Sequence, residues 1–232
     1  MRLFRRNIRP LATTSGIVRE MDRVTIEEYG LPGIALMENA GAAAAIVAEE
    51  MCPPGQPVLV IAGTGNNAGD GFVIARLLAN RGRSVDVLAA APGHLYKGDA
   101  AINYRVIAMM GLPVETWEGR CPAAHNWGLI VDALLGTGLS GNLRPPYPAM
   151  IDFLNNSGIP VLAVDIPSGL DSDTGEIHTA AVMGAKTVTF ALPKEGLFVG
   201  EGPRLAGEVI LADIGIPGNL YPAGKGLPHI CE

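Results

Sequence analysis

Three groups of polar residues follow apolar stretches of this sequence and combine the residue types that bind anions and transfer protons. They are Asn66, Asn67 and Asp70 in "GTGNNAGDG", Asp132 with the glycine-rich run Gly136 to Gly141, and Asp165 with Pro167 and Ser168 in "VDIPSGLD". Glycine lets a backbone approach a phosphate closely, and a carboxyl group can act as a general acid or base. For each aspartate alone, capping a helix or stabilising a turn is an equally good explanation. The function therefore depends on whether the fold brings the groups together.

The segments between these groups alternate between apolar strands and helical patterns. Two N-terminal helices are predicted first, one capped by Ser15 with Ile17, Met21, Val24 and Ile26 near one face, and one from Gly33 to Cys52. Strands are predicted over 57–63, 84–91, 128–136, 160–169, 185–192 and 207–215, with helices over 69–82, 98–111 and 148–158. This order predicts a three-layer αβα sandwich with a Rossmann-like, doubly wound, mostly parallel sheet. Ligands of such sheets bind beyond the carboxyl ends of the strands, so the three groups are expected to share a pocket.

The chain is expected to hold one domain, 18–216, between a basic N-terminal tail, 1–17, and a short Gly/Pro-rich tail, 217–232. The arginines of the first tail resemble those of a transit peptide, but a short basic tail is the simpler interpretation. No apolar run approaches the roughly 20 residues of a membrane span. The three cysteines form no disulfide framework. A cytoplasmic protein is expected.

Two common classes of nucleotide-related function are disfavoured by the sequence. The net charge of −6 gives no long-range attraction for nucleic acid. The glycines Gly63, Gly65 and Gly69 form G-x-G-x-x-x-G, one residue longer than the dinucleotide fingerprint, and the next strand ends in "LAAAP" without the expected acid. A conventional NAD(P) oxidoreductase is therefore not supported. A glycine turn that only joins a strand to a helix is the structural alternative.

Five motifs carry a family resemblance: "LMENAG", "GTGNNAGDGFVIAR", "VDALLGTGLSG", "AVDIPSGLDSDTG" and "FALPKEGL". In order and approximate spacing, from about Arg19 to Ile216, the chain resembles the NAD(P)H-hydrate epimerase family (YjeF N-terminal domain-like). The resemblance implies an enzyme that interconverts the R and S forms of hydrated NADH and NADPH (NADHX and NADPHX). It also implies a homodimer whose product passes to an ATP- or ADP-dependent dehydratase.

The resemblance also implies roles for individual residues. Asp165 would be catalytic, and one potassium ion per subunit would be held by Asn67, Asp132 and Ser168. The implied substrate-binding residues are Asn66, Asn67, Ala68, Gly69, Asp70, Gly136, Thr137, Gly138, Leu139, Ser140, Gly141, Asn142 and Asp165. Ala68 replaces the family's commoner glycine, which would cost about 1 kcal/mol if φ were positive and nothing at an ordinary φ.

Several points stay open at the level of sequence. Lys194 in "LPKEG" could pair with phosphate, assist the acid–base group or lie exposed. The broad small-residue face of the second helix predicts a homodimer through the N-terminal helices. A noncatalytic module that binds nucleotides or RNA, or joins partner proteins, is the alternative function. The motifs do not decide whether the chain acts alone or as part of a bifunctional epimerase and dehydratase.

Overall fold

The computed structural model describes residues 2–119, 126–139, 141–223 and 227, in which strands and helices alternate. The strands are β1 (Leu3–Phe4), β2 (Val58–Ala62), β3 (Val85–Ala89), β4 (Val114–Thr116), β5 (Leu129–Ala133), β6 (Val161–Val164), β7 (Lys186–Phe190) and β8 (Glu208–Ala212). The helices are α1 (Ser15–Glu27), α2 (Gly33–Met51), α3 (Asn66–Asn80), α4 (Gly98–Met109), α5 (Tyr147–Asn156) and α6 (Gly202–Leu205).

The strands form one sheet in the order β1-β8-β7-β6-β5-β2-β3-β4. Neighbouring strands are parallel throughout, except that β1 pairs with β8 antiparallel. Strands β3 and β4 lie on one side of β2, and the later strands β5 to β8 lie on its other side. The strand order therefore reverses between β2 and β5, and this reversal opens a crevice at the carboxyl ends of the strands.

Both faces of the sheet are covered, as β2 illustrates. Val58, Val60 and Ala62 pack into a hydrophobic cluster with α2 and α3, whereas Leu59 and Ile61 pack into a second cluster with α5. A strand buried on both faces is apolar at every position, which explains the unbroken run "VLVIA". The predicted αβα sandwich with a doubly wound, mostly parallel sheet is confirmed.

The basic segment predicted as a tail contributes the edge of the sheet. Leu3 pairs with Ala212 and Phe4 with Leu211. Farther along, the backbone N–H of Thr13 donates to the carbonyl of Pro193 (2.9 Å), and that of Glu195 donates to the carbonyl of Thr13 (3.0 Å). The two-residue β1 and the three-residue β4 are too short to carry an alternating pattern, which is why the sequence did not predict them.

Helix α1 has a different buried face from the predicted one. Its buried residues include Val18, Met21 and Thr25, whereas Ile17 and Ile26 are 40% and 39% exposed. Ser15 does not cap the helix with its own side chain; instead its backbone N–H donates to the carboxylate of Asp173 (2.6 Å). This long-range contact helps to fix the start of α1, which sequence periodicity cannot show.

Helix α2 is covered within the chain. Ala43, Ala44 and Ala45 are fully buried, and a Cβ at Gly41 would lie 2.5 Å from that of Val73 on α3. Packing against α3 thus accounts for the small residues, and the homodimer stays a prediction. No helix in the described ranges has the length and apolar character needed to cross a membrane.

Candidate active site

A cavity of about 650 Å³ lies at the carboxyl ends of β2, β5, β6 and β7. One wall is α1, which contributes Val18, Arg19, Asp22 and Ile26. The other walls come chiefly from the first half of α2, the start of α3, the loop after β5 and the ends of β6 and β7. The cavity therefore occupies the crevice that the reversal of strand order opens.

Most of the residues predicted to bind substrate meet at this cavity. Those that line it are Asn66, Asn67, Asp70, Gly136, Thr137, Gly138, Leu139 and Asp165. Ala68 and Gly69 lie buried in α3, and Gly141 and Asn142 are exposed residues outside the lining. Ser140 falls outside the described residues.

Helix α3 begins earlier than predicted, at Asn66, so both asparagines lie in its first turn. No side chain in the described part of the chain caps this end, and Gly65, Asn66 and Asn67 line the cavity. The first backbone N–H groups of a helix attract anions. Ala68 has helical backbone, so its methyl group carries no left-handed strain.

Close packing between α3 and the end of β5 requires glycine at positions 63 and 71. A Cβ at Gly63 would overlap the carbonyl of Leu134, and one at Gly71 would lie 2.6 Å from the Cβ of Ala133. Of the three glycines in the predicted pattern, Gly63 thus has a structural explanation, and Gly71 lies outside that pattern. This packing places the start of α3 against the end of β5. Two of the three polar groups therefore lie close together.

Asp165 follows β6 directly and is held by the chain at one oxygen. Lys194 is 1% exposed and pairs with Asp165 Oδ1; the backbone N–H of Phe190 donates to the same oxygen (3.3 Å), and Thr189 Oγ1 lies 3.4 Å from it. None of the described residues donates to Oδ2. The carboxylate is thus oriented through Oδ1, and Oδ2 is available to a ligand in the cavity.

Lys194 is buried, so the interpretation that its side chain lies exposed on the surface is wrong. Its ammonium group also donates to the carbonyl of Phe190 (3.1 Å) and the hydroxyl of Thr189 (3.2 Å). Asp165 itself has φ of 68°, in the left-handed region that few residues other than glycine adopt. Such backbone persists where the surrounding structure enforces it, and it is concentrated at functional sites.

The three predicted potassium ligands form a buried cluster beside the cavity. Asp132 is fully buried; its Oδ1 lies 2.7 Å from Ser168 Oγ, and its Oδ2 accepts the N–H of Ser168 (2.9 Å). Asn67 Nδ2 donates to the carbonyl of Leu135 (3.0 Å). Burial raises the pKa of Asp132 to about 6, although the hydrogen bonds from Ser168 and Leu134 oppose this shift.

Asp22, on the wall formed by α1, was not predicted from the sequence. Burial raises its pKa to about 6; Lys194 opposes this shift and Asp165 adds to it. Burial and the charges of Asp165 and Asp22 also raise the pKa of Asp70 well above its usual range. Asp22 lies four residues after Val18 and four before Ile26. The sequence signal that could have identified Asp22 is an acidic residue between two apolar residues at helical spacing.

Arg19, also on α1, is the second residue that sequence reasoning missed. It is exposed, and its Nη1 donates to the carbonyl of Thr137 (3.0 Å). The contact joins α1 to the glycine-rich loop after β5. No local motif indicated it, because the two residues are 118 positions apart.

Comparison with known proteins identifies relatives over most of the chain. A protein of Rhodopirellula baltica named NAD(P)H-hydrate epimerase is 41% identical over 208 residues, which cover 88% of this chain and 84% of the relative. One of Salinibacter ruber, named bifunctional NAD(P)H-hydrate repair enzyme Nnr, is also 41% identical, with 90% of this chain matching 41% of its length. The chain thus spans less than half of that bifunctional relative.

The fold has a solved counterpart in the yeast protein ynu0, with a TM-score of 0.77 and 23% identity over 95% of this chain and 96% of that one. The family model described as YjeF-related protein N-terminus matches residues 33–196. These matches confirm the resemblance inferred from the five motifs. The chain belongs to the family of YjeF-related protein N-terminal domains.

Proposed function

We propose that this protein interconverts the R and S forms of hydrated NADH and NADPH. The observation that carries the proposal is Asp165, a carboxylate anchored through Oδ1 to Lys194, with its Oδ2 available in a cavity of about 650 Å³. The name of the Rhodopirellula baltica relative supports the same activity.

The phosphates of the substrate would bind where backbone N–H groups face the cavity. The first turn of α3 begins at Gly65 and Asn66 without a side-chain cap from the described residues, and the loop Gly136 to Leu139, whose Gly136 lies beside Asn67, also lines the cavity. Helix N-termini and glycine-rich turns bind phosphate through such groups. The hydrated ring would then reach Asp165 at the end of β6.

The reaction needs only proton transfer. The hydrated ring carries a hydroxyl group on the carbon beside the ring nitrogen, so the nitrogen lone pair can expel that oxygen once it is protonated. The planar cation that results can add water from the other face, which inverts the carbon. Asp165 would supply or accept the proton at these steps through Oδ2, and Lys194 would hold it in place.

The predicted potassium ligands suit a hard cation. Asn67 Oδ1 is buried and lacks a hydrogen-bond partner among the described residues, and Asp132 is a buried carboxylate that none of their Lys, Arg or His side chains pairs with. These two residues and Ser168 offer oxygen donors, which alkali cations prefer. A potassium ion held there would neutralise Asp132 and join the loops after β2, β5 and β6.

Incubation of the purified protein with one epimer of NADHX, followed by chromatographic separation of R and S forms, tests the proposal. Conversion well above the protein-free rate is expected. Unchanged epimers together with tight binding of RNA or a partner protein would instead favour the noncatalytic module.

We also propose a location, an oligomeric state and a downstream enzyme for this protein. We expect a cytoplasmic homodimer whose product is consumed by an ATP- or ADP-dependent NAD(P)H-hydrate dehydratase. The bifunctional name of the Salinibacter ruber relative supports the coupling to a second activity. Light scattering at micromolar protein concentration measures the oligomeric state, and a monomeric mass would contradict the homodimer.

A further inference from the structure

Asp22 presents a carboxylate to the cavity with one oxygen unpartnered. It lies on the side of α1 that also contributes Val18 and Ile26 to the lining. Its Oδ1 is buried and has no hydrogen-bond partner among the described residues. A buried polar atom without a partner carries a free-energy penalty, which rotation of the carboxyl group toward a bound ligand would relieve.

The wall that carries Asp22 is fixed to the loop that carries Lys194. The Thr13 backbone exchanges hydrogen bonds with Pro193 and Glu195, on either side of Lys194. Asp173 holds the first turn of α1 through Ser15. Asp22 is therefore held in relation to the Asp165–Lys194 pair, and a pKa raised to about 6 lets it gain or lose a proton near neutral pH.

Inversion requires chemistry on both faces of the substrate ring. Water must leave from one face and add to the other, and a carboxylate fixed beside a bound ring reaches one face. Asp165 is fixed in this way by Lys194 and the N–H of Phe190. We propose that Asp22 is the second acid–base residue and serves the face that Asp165 does not reach, an inference that rests on the proposed epimerase function.

The proton transfers balance with only the substrate, water and the two carboxyl groups. One aspartic acid protonates the hydroxyl oxygen, the C–O bond breaks as the nitrogen lone pair forms C=N⁺, and water leaves. A second water adds to the opposite face, and its proton passes to the other aspartate. Each inversion moves one proton from one carboxyl group to the other, and the reverse inversion returns it.

Asp70 is the competing candidate, since it also lines the cavity and has a raised pKa. Position favours Asp22, which lies on the wall that is fixed to the loop carrying Lys194. Asp70 lies on α3 one turn after Asn66 and Asn67, at the end of the cavity assigned above to phosphate.

Oxygen exchange separates the two-carboxylate mechanism from its alternatives. The wild type, Asp22→Asn and Asp70→Asn would each be incubated in H₂¹⁸O with the R and the S epimer of NADHX separately, and both inversion and ¹⁸O in the unchanged epimer would be measured. In Asp22→Asn, Asp165 can still expel and return water on its own face, so the epimer whose hydroxyl faces Asp165 can still exchange its oxygen. Inversion is therefore expected to fall by about 10²–10⁴-fold for both epimers, while exchange with retention persists within about tenfold for that one epimer.

The control is Glu20→Gln, which makes the same chemical change on α1 at an exposed residue paired with Arg23; it is expected to leave both rates unchanged. Asp22→Glu retains a carboxyl group and is expected to recover part of the inversion. Thermal melts monitored by circular dichroism check that each variant is folded.

The inference is overturned if Asp22→Asn loses inversion and exchange equally with both epimers, if it keeps both reactions, or if Asp70→Asn alone separates them. Each of these outcomes leaves the proposed function intact when the wild type inverts the substrate. A wild type that inverts neither epimer refutes the proposed function and this inference together.

Discussion

The ends of two adjacent strands, β5 and β6, each carry an aspartate, and the two carboxylates have different surroundings. Asp132 is fully buried, and Ser168 and Leu134 supply its hydrogen bonds without a cation from the described residues. Asp165 borders the cavity, pairs with Lys194 and keeps one oxygen free of donors from the described residues. Strand register explains the difference: Asp132 pairs with Ala163, so Asp165 lies two residues farther toward the cavity.

The comparison indicates how one sheet edge supports two roles. A sealed carboxylate can position loops or hold an ion but cannot reach a substrate. An open carboxylate with a built-in cation can be oriented and still act on a ligand. Removal of Asp132 should therefore act mainly through stability and ion binding, and removal of Asp165 mainly through turnover.

The largest expected effect is on turnover in Asp165→Asn. Asparagine has nearly the same shape and can still accept hydrogen bonds from Lys194 and Phe190, but it cannot transfer a proton. We expect kcat for epimerisation to fall by about 10²–10⁴-fold with a smaller change in substrate affinity. Asp70→Asn, a neighbouring carboxylate in the cavity, is the comparison variant. A near-normal kcat in Asp165→Asn would contradict the proposed catalytic role of Asp165 and its difference from Asp132.

The second effect is the loss of stability in Asp132→Ala. The N–H groups of Leu134 and Ser168 would lose their carboxylate acceptor in a buried site. Each buried group left unpaired costs about 1–3 kcal/mol. We expect the free energy of unfolding to fall by about 2–4 kcal/mol, which lowers Tm by roughly 2–4 °C per kcal/mol in a protein of this size.

The dependence of Tm on potassium concentration provides a further test of the role of Asp132. A ligand that binds only the folded state raises Tm as its concentration increases. The Tm of the wild type is expected to rise with KCl relative to the same concentration of choline chloride, and that of Asp132→Ala is expected to show no such rise. Equal responses of the two proteins would remove Asp132 from the proposed ion site.

The sequence predicted the parts of this site that lie in local motifs. Asp132 and Asp165 each follow a recognisable apolar strand, and the parallel sheet brings such strand ends to one edge. The sequence could not decide the burial of Lys194, because its partner Asp165 is 29 residues away. The orientation of α1, and with it Asp22, depends on contacts with Asp173 and Pro193 that no helical period encodes.

Asp22 is a third case for comparison: like Asp165 it faces the cavity, and like Asp132 it forms no ion pair with a described residue. Its folded-state pKa of about 6 exceeds the ordinary 3.8, so between pH 4 and 6 the folded state binds more protons than the unfolded state. Stability contributed by Asp22 is therefore lost as pH rises through this window. Lys194 reduces the loss and Asp165 increases it, whereas Asp70 on the same cavity has a pKa raised well above its usual range by burial.

Asp22→Asn removes this penalty and is expected to be more stable than the wild type at pH 8 but not at pH 4. Because Asp22 is partly accessible to solvent, the gain should be about 1–2 kcal/mol. Thermal melts at the two pH values measure it, and Glu20→Gln on the exposed side of α1 should show no gain. A variant less stable than the wild type at pH 8 would mean that the buried charge has a partner in the folded protein.

The smallest expected effect concerns Arg19, at the side of the cavity formed by α1. Its guanidinium group contacts the carbonyl of Thr137 and has further N–H donors for a phosphate held by the glycine-rich loop. Arg19→Ala should raise KM about tenfold, equivalent to about 1.4 kcal/mol, with kcat little changed because the phosphates do not react. Arg23→Ala is the matched control on the same helix, since Arg23 is engaged by Glu20, Glu27 and Glu28. Equal KM values for the two variants would show that Arg19 only joins α1 to the loop, and a fall in kcat would place it among the groups that orient the reacting ring.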